Sequence, residues 1–233
     1  MIIPAAGNGS RMGADVPKVL LAWADRPGSE PRSILQRTLE PFLRDSRCEH
    51  IIVCVPAEWE AQFAAHLNPA LKTRLILGGA TRQESVRNGV EALADIVKTI
   101  GGDEASVCVL VHDAARCCVS SEVIGRVVHG VAQYGAVSAA ISIPDSLSRV
   151  SDGVITETVD RQGVWAIQTP QGFNLQELRA AHFAARVDNF VGLDDASVVA
   201  RLRPVRVVEG DRLNIKVTHP QDLKIAEEIV RAR

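Results

Sequence analysis

Short apolar runs alternate with helix-like periodicity along most of the 233-residue chain. The runs at 51–55 and 107–111 are continuous and rich in β-branched residues, which is typical of strands buried on both faces of a sheet. Between them, apolar residues recur at spacings of four, three and four, as on one face of a helix: Val86, Val90, Leu93 and Val97. A further helix is predicted after Ser120 as its N-cap. This alternation predicts an α/β fold with a mainly parallel sheet flanked by helices.

One segment departs from this pattern. From Ser146 to Thr158 polar and apolar residues alternate around an Asp-Gly pair at 152–153, which predicts a β-hairpin. Because an isolated hairpin is marginally stable in water, we expect this arm to pack on something, and a second subunit is the simplest candidate. A last helix is predicted to open at Pro220.

Composition narrows the class of protein. A formal net charge of −2 makes a broad nucleic-acid-binding face unexpected, and no apolar run is long enough to span a membrane. The chain starts directly with a strand and a Gly-rich turn, so we expect no signal peptide and a cytoplasmic protein. We interpret residues 1–233 as one domain.

The five cysteines form no Cys-x-x-Cys pair. Cys54 and Cys108 lie within apolar strand patterns, and we expect both to be small core residues. The adjacent Cys117 and Cys118 are either a redox pair or, as we favour for a cytosolic chain, two reduced thiols.

The first loop carries the strongest chemical signal. A stub of apolar strand is followed by Gly7 and Gly9, with Arg11 and Lys18 close behind. Exposed backbone N–H groups beside two cations form a receptor for a polyanion, for which a nucleoside triphosphate is our interpretation. The chain has no P-loop motif, and Met12 stands where the dinucleotide fingerprint needs its third glycine. The alternative is a turn with incidental basic residues.

Other candidate residues follow other strands. Asp113 and Arg116 come directly after the run 107–111 and can bind hydroxyls, metal or phosphate, or form a solvated ion pair. The loop at 78–85 brings glycines and a helix start to a second possible phosphate or base site, unless Ser85 simply faces solvent. Lys216 lies in a strand-like run, where a lysine is ordinarily an edge-strand charge.

Taken together in this order, these motifs resemble the 2-C-methyl-D-erythritol 4-phosphate cytidylyltransferases of the non-mevalonate isoprenoid pathway. The resemblance covers nearly the whole chain, through PAAGNGSRM at 4–12, PK at 17–18, GGATRQES at 78–85, HDAAR at 112–116, TVDRQGVW at 158–165, TPQ at 169–171 and NIKVTHPQDL at 214–223. It implies a Rossmann-like sheet with a β-arm, at about 145–170, that reaches across a homodimer. It also implies that CTP and methylerythritol 4-phosphate react, with Mg²⁺ held mainly by the CTP phosphates, to give a cytidine diphosphate sugar alcohol and pyrophosphate.

The resemblance further implies roles for individual residues. Charge stabilisation around the reacting phosphorus falls to Arg11, Lys18 and Lys216. CTP binding falls to Ala5, Ala6, Gly7, Gly79, Arg82, Ser85 and Asp113. Contacts to the sugar phosphate fall to Asp113, Arg116, Ser146, Arg161 and Thr169, of which Arg161 and Thr169 are expected from the partner subunit.

Several departures from the family pattern matter. Ser146 stands where threonine is usual, and since the hydroxyl is kept we expect little change. Leu193 also replaces a usual threonine, which we expect to weaken a helix cap. Only three residues precede the first motif, which leaves open a start further upstream.

Two rival functions stay open at this point. One is a cytidylyltransferase for another polyol phosphate such as ribitol 5-phosphate. The paired alanines at 114–115 argue against this alternative. The other is a catalytically silent nucleotide-binding regulator on the same fold. The joint presence of Arg11, Lys18, Asp113 and Lys216 argues against it.

Overall fold

The computed structural model of the chain describes residues 1–7, 16–26, 28–67 and 72–233. Within them the strands are β1 (Ile2–Pro4), β2 (Ala22–Trp23), β3 (Arg32–Ser33), β4 (Ile51–Val55), β5 (Thr73–Leu77), β6 (Cys108–Val111), β7 (Ala136–Ser142), β8 (Leu147–Ser151), β9 (Val154–Val159), β10 (Trp165–Asn174) and β11 (Arg206–Glu209). The α-helices are α1 (Ile34–Arg44), α2 (Glu60–Ala65), α3 (Arg82–Thr99), α4 (Ser121–Tyr134), α5 (Leu175–Val187), α6 (Asp195–Val199) and α7 (Pro220–Arg231). Short 3₁₀ turns lie at Lys18–Leu20, Ala57–Trp59 and Glu104–Ser106.

Seven strands form one central sheet in the order β11-β7-β10-β6-β1-β4-β5. Neighbours pair in parallel except β10, which runs antiparallel to both β6 and β7. The predicted α/β fold with a mainly parallel sheet is thus confirmed. In such a sheet, ligands bind beyond the carboxyl ends of the strands, where the connecting loops emerge.

Both faces of this sheet are covered. Along β4 alternate side chains enter different cores: Ile51, Val53 and Val55 join the α1 and α4 side, while Ile52 and Cys54 join the α3 and α5 side. All five are fully buried, which explains why this strand is apolar without alternation.

Helix starts agree with their local sequence. Ser120 caps α4 by accepting from the backbone N–H of Val123, as predicted. Thr81 opens α3 in a capping box with Glu84. All four residues predicted for the inner face of α3 are buried.

The predicted hairpin is present, since β8 and β9 pair antiparallel in a separate two-stranded sheet. Its turn places Asp152 at φ 51° and Gly153 at φ 79°, the left-handed geometry that a two-residue type I′ loop needs. The hairpin is shorter than the arm predicted at about 145–170, because residues 165–170 belong to β10 in the central sheet. Strands β8 and β9 are mostly exposed.

Two further expectations meet the structure here. Cys54 is buried as predicted, but Cys108 is exposed, because it lies at the very start of β6 rather than within the covered part of the sheet. All five cysteines are free thiols. Across the described ranges we find no helix long and apolar enough to cross a membrane.

Candidate functional site

The loops that leave β1 and β5 pack directly together at the carboxyl edge of the sheet. The Ala5 backbone N–H donates to the Cys54 carbonyl oxygen at 2.8 Å, which extends the pairing of β1 with β4 by one residue. A Cβ on Gly78 would lie 2.5 Å from the Cβ of Ala6, so only glycine allows this approach. Gly7 follows at the surface.

Ser85 holds the Gly-rich loop from within. Its hydroxyl accepts from the Gly79 N–H at 3.0 Å and donates to the Thr81 carbonyl at 2.9 Å, and the side chain is buried. The alternative in which Ser85 faces solvent is therefore wrong. This hydrogen bond holds the loop at Gly79. Close packing constrains the same position, since a Cβ there would lie 2.3 Å from the Glu84 Cβ.

Asp113 is the centre of the site. One carboxylate oxygen, Oδ1, lies 3.2 Å from Arg82 Nε, and the other, Oδ2, lies 2.8 Å from Lys216 Nζ and 3.7 Å from Arg116 Nε. The Asp113 side chain is only 11 % exposed, whereas Lys216 is 44 % exposed. Residues far apart in the chain thus converge on one nearly buried carboxylate.

The cations keep that carboxylate ionised. Burial by itself raises the pKa of Asp113, but the charges of Arg82 and Lys216 outweigh it and hold the pKa well below its usual range. The pKa of Arg82 moves upward: burial lowers it, and the charges of Asp195 and Asp113 more than reverse that effect. At neutral pH Asp113 is therefore an ionised carboxylate and Arg82 a charged guanidinium.

Thr169 supports Asp113 from behind. Its Oγ1 accepts from the Asp113 backbone N–H at 3.0 Å and lies 3.0 Å from His112 Nδ1. Burial lowers the pKa of His112 to about 4, so the ring is neutral. The tautomer that satisfies every contact has Nε2–H donating to the Arg116 carbonyl at 3.1 Å, with Nδ1 accepting from the Thr169 hydroxyl.

The position of Thr169 corrects one expectation. The residue was expected from the partner subunit, yet it is buried beside Asp113 of its own chain. The reason is the antiparallel pairing of β10 with β6, which brings the start of the 169–171 motif next to the loop after β6.

The segment after β11 carries Lys216 to the site without forming the predicted strand, since residues 214–218 have no regular structure. Individual hydrogen bonds hold this segment in place. The Val217 N–H donates to the Ala115 carbonyl at 2.9 Å, and Arg116 Nη1 donates to the Asn214 carbonyl at 2.7 Å. Lys18 Nζ donates to the Val217 carbonyl at 2.9 Å. The two predicted catalytic lysines therefore lie on adjoining segments.

Sequence reasoning missed the residues behind Arg82. Arg82 Nη1 lies 2.8 Å from Asp195 Oδ2, and Asp195 Oδ1 lies 3.1 Å from His182 Nε2. Both Asp195 and His182 are almost completely buried. The only local signal was the acidic start of α6, and it could not show which of the two aspartates faces the site.

That start of α6 also overturns the expectation for Leu193. Asp194, not residue 193, is the N-cap: its Oδ1 accepts from the Ser197 N–H at 2.8 Å in a complete capping box. Leu193 is exposed. The predicted weakening of the cap is wrong.

The remaining predicted residues lie apart from Asp113 or outside the description. Ser146 and Arg161 are exposed near the base of the hairpin, where Arg161 Nη1 donates to the Pro144 carbonyl. No bond among the described residues joins either of them to the Asp113 cluster. Arg11 falls in 8–15, outside the described residues.

Among its described side chains, the site carries more cations than carboxylates. The cations are Lys18, Arg82, Arg116 and Lys216, and the carboxylates near them are Asp113, Asp195 and Asp222. Such a surface suits an anion with several charges, because each fixed cation lowers the cost of bringing phosphates together.

A divalent metal finds no ready-made cage there. Within the described ranges no three His, Cys, Asp or Glu side chains converge, and both Asp113 oxygens already face cations. These residues do not fit a metal site built by protein ligands alone.

Comparisons with known proteins agree on one family. The family model described as IspD: 2-C-methyl-D-erythritol 4-phosphate cytidylyltransferase matches residues 1–232. Proteins of that name are similar to this chain in Bacillus cereus (40 % identity, 100 % of this chain and 98 % of the relative) and Synechococcus sp. (42 %, 100 % and 99 %). The crystal structure of the protein of that name from Thermus thermophilus is similar with a TM-score of 0.78 and 34 % identity, covering 99 % of this chain and 97 % of that one.

Proposed function

Because the chain belongs to the family of 2-C-methyl-D-erythritol 4-phosphate cytidylyltransferases, we propose that it transfers the cytidylyl group of CTP to 2-C-methyl-D-erythritol 4-phosphate. The products are 4-diphosphocytidyl-2-C-methyl-D-erythritol and pyrophosphate. The acceptor phosphate attacks the α-phosphorus of CTP, and the bond from that phosphorus to the β-phosphate bridging oxygen breaks. The enzyme is a nucleotidyltransferase of isoprenoid biosynthesis.

The observation that carries this proposal is the charged cluster around Asp113. A phosphate monoester at neutral pH is already a nucleophile, so the reaction needs no activated side chain. It needs two polyanions held in line while their repulsion is neutralised. Cations at the carboxyl edge of the sheet, with Lys18 and Lys216 on adjoining segments, are suited to that task.

We assign the residues accordingly. Lys18, Lys216 and Arg11 stabilise charge that develops on the α-phosphate and the leaving pyrophosphate. The nucleotide lies against the loops after β1 and β5, whose assigned residues are Ala5, Ala6, Gly7, Gly79, Arg82 and Ser85. The acceptor lies on the other side of Asp113, against Arg116, and towards Ser146 and Arg161. Thr169 acts on Asp113 from within the same chain.

Mg²⁺ is part of the proposal as an ion carried by the phosphates of CTP, since the described side chains do not build a cage for it. No role assigned above depends on it. Turnover that is lost with a chelator and restored by added Mg²⁺ supports this; full turnover in excess chelator contradicts it.

The decisive experiment measures pyrophosphate release from CTP, ATP, GTP and UTP against two acceptors, methylerythritol 4-phosphate and ribitol 5-phosphate. We expect turnover with CTP and the first acceptor only. Turnover with ribitol 5-phosphate alone would show that the acceptor is ribitol 5-phosphate rather than methylerythritol 4-phosphate. CTP binding without turnover on either acceptor would favour a nucleotide-binding regulator over an enzyme.

A homodimer formed through the hairpin is also proposed. The arm exposes Val150, Val154 and Ile155 at 60 %, 64 % and 67 %, which is costly for a free hairpin and ordinary for one that packs on a second subunit. Light scattering of the wild type should give twice the chain mass, and Ile155→Asp should give a monomer. The matched control, Thr156→Asp on the same strand, should remain dimeric. A monomeric wild type refutes the arm's role.

The proposal extends to the domain organisation and the cellular location of the protein. Strands from both ends of the chain, β1 and β11, belong to the same central sheet, which supports one catalytic domain over residues 1–233. A cytoplasmic location is supported by five unpaired cysteines and is tested by cell fractionation.

A further inference from the structure

Behind Arg82 lies a buried chain of polar groups that the reaction itself does not explain. His182 Nε2 donates to Asp195 Oδ1 at 3.1 Å, and Asp195 Oδ2 accepts from Arg82 Nη1 at 2.8 Å. Arg82 Nε in turn donates to Asp113 Oδ1 at 3.2 Å. This series of hydrogen bonds therefore runs from the interior of α5 through α6 and α3 to the centre of the site.

The arrangement fixes the plane of the Arg82 guanidinium. Its Nε and Nη1 groups are each tied to a different carboxylate, and the rigid fork leaves one rotation of the head group that satisfies both. Within the described ranges the third nitrogen, Nη2, has no hydrogen-bond partner. The Arg82 side chain remains 31 % exposed, so the fork is held from the inside and open on the outside.

Asp195 is unusual for a residue so far from solvent. Its side chain is 1 % exposed, as is that of His182. Burying an ionised carboxylate costs several kcal/mol unless it is paired and hydrogen-bonded. Burial by itself raises the pKa of Asp195, but the hydrogen bond from His182 and the charge of Arg82 hold it below its usual range. An ionised carboxylate that is retained at this cost indicates a functional role for Asp195.

We propose that Asp195, itself oriented by His182, is a positioning residue that aims Arg82 at the phosphates of the nucleotide and fixes Asp113 against Lys216. Asp195 does not touch the substrate in this role. The inference rests on the proposed cytidylyl transfer, and it assigns the acidic start of α6 to the same site.

The matched pair of variants is Asp195→Asn and Asp194→Asn. The two aspartates are neighbours at the same helix start, but Asp194 caps α6 and bonds Gln171, whereas Asp195 bonds Arg82. For Asp195→Asn we expect kcat/KM for CTP to fall ~10–100-fold, by analogy with the loss of residues that orient the ligands of a metal. For Asp194→Asn we expect less than a threefold change.

A double-mutant cycle separates positioning from a structural role. If Asp195 acts through Arg82, then Asp195→Asn added to Arg82→Ala lowers kcat/KM no further, since neighbours that act as a unit are not additive. The double variant should also melt higher than Arg82→Ala alone, because that single variant leaves the buried carboxylate of Asp195 without its cation. His182→Gln, which can still donate to Asp195, should retain more activity than His182→Leu.

Turnover of the wild type is measured first, because it distinguishes a failure of the proposed cytidylyl transfer from a failure of the positioning role of Asp195. If the wild type releases no pyrophosphate from CTP with any acceptor, the proposed function fails. If the wild type turns over and Asp195→Asn matches it within threefold, the positioning role is wrong. Equal losses from Asp195→Asn in the presence and absence of Arg82 also overturn it.

Discussion

Removing Lys216 should separate catalysis from stability. The ammonium lies 2.8 Å from Asp113, yet the Lys216 side chain is 44 % exposed, so solvent screens the pair. Exposed ion pairs contribute only about 0–1 kcal/mol to stability, and Asp113 keeps Arg82 and Arg116 in any case. We therefore expect Lys216→Ala to shift Tm by no more than about 4 °C, the shift that 1 kcal/mol causes in a domain of this size.

The same substitution should be severe for the reaction. Loss of one preorganised group that stabilises developing charge costs ~10²–10³ in rate, or about 3–4 kcal/mol. The assay is pyrophosphate release under saturating CTP and acceptor, with Tm measured on the same samples. Lys224→Ala, an exposed lysine on α7, is the control and should keep full activity. A turnover of Lys216→Ala within threefold of wild type, at unchanged Tm, would refute the assignment.

Two other predictions follow from the described contacts. His112 has a pKa of about 4 in the fold and about 6.5 when unfolded, so only the unfolded chain takes up a proton as pH falls from 6.5 to 4, and stability declines over that window. The free energy of unfolding measured in urea should fall by about 2 kcal/mol between pH 7 and pH 5 through this residue. In His112→Asn this part of the pH dependence of the unfolding free energy should be absent. An unchanged pH dependence in the variant contradicts a neutral His112 ring. Gly79→Ala should weaken CTP binding measured by calorimetry, because its Cβ would meet Glu84 at 2.3 Å and displace the loop. Its control is Gly125→Ala, where the Cβ meets nothing within 4 Å, and there we expect unchanged binding and a stability gain of ~1 kcal/mol.

Local chemistry explains why much of the architecture was predictable. A helix cap such as Ser120 and a turn such as Asp152-Gly153 depend on contacts within a few residues, which the sequence displays directly. The buried strand at 51–55 was recognisable because both its faces meet apolar layers. Cys108 was misjudged because strand membership does not tell whether a residue lies at a covered position or at the strand's open start.

The motifs predicted four charged residues that the structure brings together, Arg82, Asp113, Arg116 and Lys216, but they did not predict the contacts of these residues and they missed His182 and Asp195. Lys18 bonds a carbonyl 199 residues away, and Arg82 pairs with a carboxylate 113 residues away. No periodicity or spacing encodes such contacts, because they depend on which strand ends the topology brings to one edge.

The sequence by itself therefore determined the α/β alternation, the Ser120 cap and the hairpin, and it predicted charged residues such as Asp113 and Lys216 that the structure brings together. Only the tertiary structure decided that Thr169 serves Asp113 of its own chain, through the antiparallel insertion of β10, and that Asp195 rather than Asp194 meets Arg82. The physical reason is the range of the interactions: hydrogen bonds within a turn are fixed by neighbouring residues, while the pairing of buried charges is fixed by the packing of the whole sheet.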